Sequence, residues 1–179
     1  MPVGDVAGGR GSLAAAGLCG GDGAAFRSRQ KSHPRGDLGY VGEITSVDPR
    51  WIEALWAKGG LPVISTLAIG TDFEYYNVNA DQMASAAAAG CGADALVFLT
   101  DVPGVKGPDG AVIASLPAAQ IAGLVQAGVI RGGMLPKLQA CQDALKGGVG
   151  RVRILPSARA ELLPGVPAGD VKDGTEVLA

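Results

Sequence analysis

Three short segments of the sequence carry side chains suited to binding a phosphorylated ligand. In the first, residues 77–81, Asn77, Asn79 and Asp81 stand two positions apart where a helix is expected to begin. A carboxylate there could orient a cationic group or a metal-bound phosphate, and a carboxamide can both donate and accept hydrogen bonds. The alternative is that these side chains only cap the helix, since asparagine and aspartate are favoured at helix N-termini.

The second segment, residues 100–106, follows the strongest strand signal in the chain, residues 95–100. An acidic side chain such as Asp101, just past a buried strand, can accept hydrogen bonds from a ribose or an amino group. Gly104 lacks a side chain, which lets the backbone approach a ligand closely. The alternative interpretation is an ordinary turn between a strand and a loop.

The third segment, residues 132–137, places two glycines before a helix, so that backbone N–H groups can face an anion. Lys137 falls near the start of that helix, where the helix dipole disfavours a cation unless an anion lies close by. A local conflict of this kind is typical of functional sites. The alternative is a lysine whose charged end simply reaches solvent.

Apolar runs separated by glycine-rich turns place these segments in an α/β fold. Strands are predicted at residues 14–18, 26–31, 61–66, 95–100, 151–155 and 176–178. Helices are predicted to begin at Pro49 and Pro117 and to span residues 77–89 and 134–146, the last with an apolar stripe of Met134, Leu138, Cys141 and Leu145. The first two strands are expected to form a hairpin, and residues 61–66 a buried parallel strand. Because strands alternating with helices pair in parallel, we predict a three-layer αβα sandwich with a mainly parallel sheet. Ligands of such sheets bind beyond the carboxyl ends of the strands.

The composition excludes several classes of protein. The chain has 179 residues, of which 47% are hydrophobic and 18% charged, and this excludes a disordered chain without a core. A net charge of −2 offers no basic surface for nucleic acid. The three cysteines form no CxxC pair, so we expect reduced thiols in the cytoplasm rather than disulfides or a bound metal. No apolar run approaches the ~20 residues of a membrane span, and no P-loop motif is present.

In order and spacing, about residues 13–179 resemble the acetylglutamate kinases of the amino acid kinase superfamily. The most specific element is the Asn-Val-Asn-Ala-Asp run at residues 77–81, which uridylate, aspartate and carbamate kinases of the same fold do not share. The other matching runs are residues 39–43, 45–47, 61–65, 92–94, 99–105, 132–137 and 174–175. The resemblance implies an amino acid kinase-like fold.

The resemblance also implies a reaction, in which the γ-phosphoryl group of ATP moves to the side-chain carboxylate of N-acetyl-L-glutamate. This is the second step of arginine biosynthesis. Mg²⁺ would enter as a companion of ATP, bound mainly through the phosphates. The expected partners are these small molecules and further copies of the chain, with no nucleic acid and no membrane.

Site residues follow from the resemblance position by position. Lys137 matches the lysine that stabilises charge on the transferred phosphoryl group, and Asp81 the aspartate that organises the catalytic lysines. Asn77 and Asn79 match the segment that contacts acetylglutamate. The residues that match the adenine- and ribose-binding segments are Asp101, Val102, Pro103, Gly104, Val105, Lys106, Val129, Ile130 and Arg131.

The beginning of the chain departs from the family. Family members start with a strand and a Lys-x-Gly-Gly phosphate loop, followed by a glycine-rich turn and an arginine that bind the acceptor, and residues 1–36 supply none of these. We therefore expect residues 1–36 to be a divergent remnant of the substrate half and residues 37–179 to be the nucleotide-binding part. The alternatives are a truncated ATP-binding module, an inactive fragment or interaction protein, and an acetylaminoadipate kinase. Feedback inhibition by arginine is not expected.

Overall fold

The computed structural model describes residues 14–34 and 36–179. Within them, four α-helices are interspersed among ten strands along the chain. The strands are β1 Ala15–Leu18, β2 Phe26–Gln30, β3 Gly42–Val47, β4 Leu61–Ile64, β5 Leu67–Gly70, β6 Tyr75–Asn77, β7 Ala95–Thr100, β8 Ser115–Pro117, β9 Arg151–Pro156 and β10 Thr175–Leu178. The helices are α1 Arg50–Ala57, α2 Ala80–Gly90, α3 Ala118–Gln126 and α4 Met134–Lys146. In this part of the chain, no helix is long and apolar enough to cross a membrane.

One four-stranded sheet has the strand order β7–β9–β10–β8. β7 pairs in parallel with β9 and β8 with β10, whereas β9 and β10 are antiparallel. One face packs against α2 and α4 through a core that includes Leu138, Cys141 and Ile154. The other face meets the 3₁₀ segment Ser157–Gly165. The predicted α/β class, with sheets rich in parallel pairs, is confirmed.

The predicted hairpin of the first two strands is wrong. β1 pairs in parallel with β4, while β2 pairs with β3 and β5 in a second sheet of order β3–β2–β5–β6. The side chains explain the separation. β2 alternates buried Phe26 and Ser28 with exposed Arg27 and Arg29, as in a sheet with one open face, whereas β1 carries only small or apolar residues.

The prediction that residues 61–66 form a buried strand is also wrong, although the parallel pairing is correct. The strand ends at Ile64, and Leu61 and Val63 are 46% and 55% exposed. Successive side chains of a strand point to opposite faces, so burial of one set and exposure of the other means that one face is covered. Pro62 and Ile64 are partly buried, and together with Leu61 they line a pocket with residues of α1 and α2. α1 packs against β4.

The predicted helices are all present, with small shifts at their ends. α2 ends at Gly90 rather than Ala89, and α3 begins at Ala118, one residue after the predicted start. β7 and α4 have the predicted bounds, residues 95–100 and 134–146. α2 begins at Ala80 rather than Asn77, because Asn77 still belongs to β6 and the Asn79 side chain supplies the cap. α1 begins at Arg50, one residue after the predicted start.

A partly buried ionic cluster joins β9 to β10 on the sheet face away from Ile154. Glu176 accepts hydrogen bonds from Arg151 at 2.5 Å and from Arg153 at 2.7 Å. Arg153 is only 4% exposed and also donates to the backbone carbonyl of Asp173 at 2.8 Å. The single carboxylate of Glu176 therefore neutralises a cation that solvent barely reaches.

Candidate active site

The two residues with the strongest sequence signals form an ion pair. The Lys137 Nζ lies 2.7 Å from the Asp81 Oδ1, although 56 residues separate them in the chain. Asp81 stands in the first turn of α2 and Lys137 near the start of α4, and these helices pack against each other. Asp81 thus supplies the anion that a lysine near a helix N-terminus requires.

The surroundings hold the Lys137 ammonium in place and shield it from bulk solvent. The two side chains of the pair are only 15% and 22% exposed, and the Lys137 Nζ lies 4.9 Å from the centroid of the Phe98 ring. A cation over an aromatic face is stabilised by the ring quadrupole. Phe98 belongs to β7, so the sheet, α2 and α4 all contribute to positioning one ammonium group.

Cys141 lies one helical turn beyond Lys137 on α4 and is fully buried. Burial raises the pKa of its thiol to about 12, and the nearby Lys137 offsets only part of this rise. The thiol is therefore neutral near pH 7. Its position in the core, together with its protonation, indicates a packing role rather than a nucleophilic one.

Asn77 is presented at the end of a hairpin. β5 and β6 pair antiparallel, and the Tyr76 hydroxyl donates a 2.5 Å hydrogen bond to Asp72 in the connecting turn. This bond raises the pKa of Tyr76 to about 12 and lowers that of Asp72. Asn77 itself is exposed, and its carbonyl oxygen accepts a long bond of 3.4 Å from Thr66. Its carboxamide is therefore accessible from solvent.

Asn79 caps helix α2, as the structural alternative for this segment predicted. Its side-chain carbonyl accepts hydrogen bonds from the backbone N–H groups of Asp81 at 3.0 Å and Gln82 at 3.3 Å. These N–H groups have no partner within the helix, so the cap stabilises the turn that carries the Asp81 carboxylate. The amide nitrogen of Asn79 remains the only part of that side chain suited to a ligand.

Replacing Asn79 with alanine is expected to lower the free energy of unfolding by about 1 kcal/mol, because the first turn of α2 loses its cap. Urea denaturation measures the effect. The Asn79→Asp variant keeps an oxygen acceptor and should unfold close to the wild type. If the Asn79→Ala variant keeps the wild-type free energy of unfolding but binds N-acetyl-L-glutamate more weakly, then Asn79 contacts this substrate and does not stabilise the helix.

A pocket of about 220 Å³ unites the two predicted nucleotide-binding segments. One wall is the loop after β7 and the other is the segment before α4, and most lining side chains are apolar. Two cations, Lys106 and Arg131, also line it. The lining residues are Val102, Gly104, Val105, Lys106, Val129, Ile130, Arg131 and Met134. Apolar walls with a few charged groups suit an aromatic base attached to phosphates.

Two predicted residues of the loop do not line this pocket. Asp101 and Pro103 are exposed, and Asp101 accepts a 3.2 Å hydrogen bond from the neighbouring Thr100 hydroxyl. Conversely, Met134 lines the pocket without having been predicted to do so, because its place in the apolar stripe of α4 indicated a core residue. Its position three residues after Arg131, directly after two glycines, was the available signal.

Helix α4 connects the pocket to the ion pair. Met134 lines the pocket and Lys137 carries the ammonium group, and residues three apart lie on the same side of a helix. A larger groove of about 550 Å³ lies between α3 and α4, but its lining consists of apolar residues and amides such as Gln126 and Gln139. The smaller pocket is therefore the one with cations for a phosphorylated ligand.

Residues 10–156 match the model of the Amino acid kinase family. The chain belongs to the amino acid kinase family. This family member is 60% identical over 166 residues to the acetylglutamate kinase of Acidobacterium capsulatum, an alignment that covers 93% of this chain and 64% of that protein. It is 52% identical over 165 residues to the acetylglutamate kinase of Koribacter versatilis, covering 92% and 63%. The chain thus spans less than two thirds of the length of these relatives.

The fold of this amino acid kinase family member recurs in the crystal structure of N-acetylglutamate synthase from Neisseria gonorrhoeae. The TM-score is 0.80 at 23% identity, and the match covers 97% of this chain and 40% of that one. At this identity the likeness establishes the shared fold.

Proposed function

We propose that this chain is the nucleotide-binding part of an acetylglutamate kinase, which transfers the γ-phosphoryl group of ATP to the side-chain carboxylate of N-acetyl-L-glutamate. The observation that carries the proposal is the Lys137–Asp81 ion pair, three residues along α4 from the wall of a pocket that also contains Lys106 and Arg131. The names and the high identity of the relatives support the same reaction.

The proposed chemistry needs positioning and charge more than covalent help from the protein. A carboxylate oxygen of the acceptor bonds to the γ-phosphorus, while the bond to the β–γ bridging oxygen breaks and its electron pair leaves with ADP. Negative charge is spread over the three equatorial oxygens of the transferred group. The Lys137 ammonium would stabilise that charge, and Asp81, 2.7 Å away, would keep the ammonium oriented.

The remaining site residues receive roles within this proposal. The apolar pocket walls would hold adenine, and Lys106 and Arg131 would lie near the ribose and phosphates. Asp101 and Pro103, in the same loop, are proposed as contacts at the pocket rim. Asn77 would bind acetylglutamate through its exposed carboxamide, and Asn79 through its amide nitrogen.

Mg²⁺ would enter this site with ATP, as part of the substrate. Among the described residues, no group of three or more histidines, cysteines or acidic residues comes together. Mg²⁺ is commonly held by one or two carboxylates together with substrate phosphates, so the triphosphate itself would provide most of its ligands.

We also propose self-association of the chain, which sedimentation analysis would measure.

Two measurements on the full chain test the proposed function. Isothermal titration with ATP and Mg²⁺ is expected to show binding at one site. A coupled assay of ADP release is expected to show turnover with N-acetyl-L-glutamate that exceeds turnover with N-acetyl-L-2-aminoadipate. ATP binding without turnover would reduce the chain to an ATP-binding module, and absence of ATP binding would overturn the proposal altogether.

A further inference from the structure

Thr175, at the start of β10, is joined to the pocket loop across the interior of the molecule. Its hydroxyl oxygen accepts a hydrogen bond of 2.9 Å from the backbone N–H of Val105, a residue 70 positions earlier. Both residues are buried, with exposed fractions of 0% and 1%. Val105 lies in the middle of the pocket wall formed by residues 102–106. This wall is therefore hydrogen-bonded to β10, a strand of the β7–β9–β10–β8 sheet.

The backbone is closely packed where the loop meets Thr175. Gly104 has a φ of +149°, and a Cβ built on it would lie 2.8 Å from the Thr175 hydroxyl oxygen and 3.3 Å from the carbonyl carbon of Gly174. Gly174 in turn packs on β9, where a Cβ would lie 2.0 Å from the carbonyl oxygen of Ile154. Loop, β10 and β9 are therefore in direct backbone contact at this point.

We propose that Thr175 is a positioning residue for nucleotide binding, whose hydroxyl holds the Val105 amide and with it the pocket wall. The proposal rests on the proposed function, since it takes the pocket to be the ATP site. A buried N–H group that loses its acceptor cannot recover a bond from solvent, so the loop must shift to rehydrate it. Val102, Gly104 and Lys106 would move with it.

Two substitutions at Thr175 separate the hydroxyl from the shape of the side chain. Thr175→Val keeps the shape and removes the acceptor, and it is expected to weaken ATP binding about tenfold or more. Thr175→Ser keeps the acceptor and should bind ATP nearly as the wild type does. Thr45→Val, the same change at an exposed position on β3, is the matched control and should have no effect. Isothermal titration with ATP and Mg²⁺, well below the unfolding temperature, measures all four proteins.

Equal affinity of the Thr175→Val and Thr175→Ser variants for ATP would overturn the proposal, because a residue that only stabilises the fold lowers the unfolding temperature without weakening ATP binding at lower temperature. Amide hydrogen exchange at Val105 tests the anchor in the wild type without any variant. Slow exchange is expected, and exchange as fast as in an open loop would overturn the inference. If the wild-type protein fails to bind ATP while the Val105 amide still exchanges slowly, the proposed function is rejected but the hydrogen bond between Val105 and Thr175 is not.

Discussion

Replacing Lys137 with methionine is expected to lower the rate of phosphoryl transfer from ATP to N-acetyl-L-glutamate by about 10²–10³-fold. The methionine side chain has a similar length but carries no charge to stabilise the transferred phosphoryl group. Because the pocket walls stay intact, ATP affinity should change far less than the turnover number. Arginine at this position is not expected to restore the rate, since its planar guanidinium differs from a compact ammonium in shape and hydrogen bonding.

A coupled assay of ADP release under saturating substrates measures the loss, and titration with ATP measures the affinity. Lys146→Met is the matched control, because Lys146 is an exposed lysine at the other end of the same helix. It should retain the full rate. A Lys137→Met variant that turns over as fast as Lys146→Met would contradict the assignment of Lys137 to the transition state.

Replacing Glu176 with glutamine is expected to lower the free energy of unfolding by about 3–5 kcal/mol, because a buried cation then loses its counter-charge. Glu176 is bonded to both Arg151 and Arg153, and Arg153 is almost completely buried. Solvent cannot compensate the charge that remains on Arg153. The loss should therefore exceed that of an ordinary surface ion pair several-fold.

Urea denaturation at neutral pH measures this effect, and Glu43→Gln is the matched control. Glu43 makes a 2.6 Å ion pair with Arg29, but the two side chains are 37% and 71% exposed. Exposed pairs contribute about 0–1 kcal/mol, so the control should remain close to the wild type. Similar losses in the two variants would show that burial of Arg153 does not determine the cost.

The sequence by itself determined the family and many of the local elements, although it did not predict β3 or β8 as strands. The apolar stripe of α4 and the apolar run of β7 predicted both elements to the residue, because hydrophobic patterns of helices and strands are short-range properties. The family resemblance rested on short motifs, and the match of residues 10–156 to the Amino acid kinase family confirmed it. The lysine near the N-terminus of α4 was predicted to need an anion by local electrostatics alone.

Only the tertiary structure decided which distant groups meet. Strand pairing is non-local, and so β1 joined β4 rather than β2, while β4 kept one face open. Asn79 had two chemically reasonable roles, and its oxygen was assigned to the helix cap by the position of two N–H groups. The runs 99–105 and 174–175 indicate the family, but the sequence does not predict that they touch. Only packing brings the Thr175 hydroxyl to 2.9 Å from the backbone amide of Val105, 70 residues earlier.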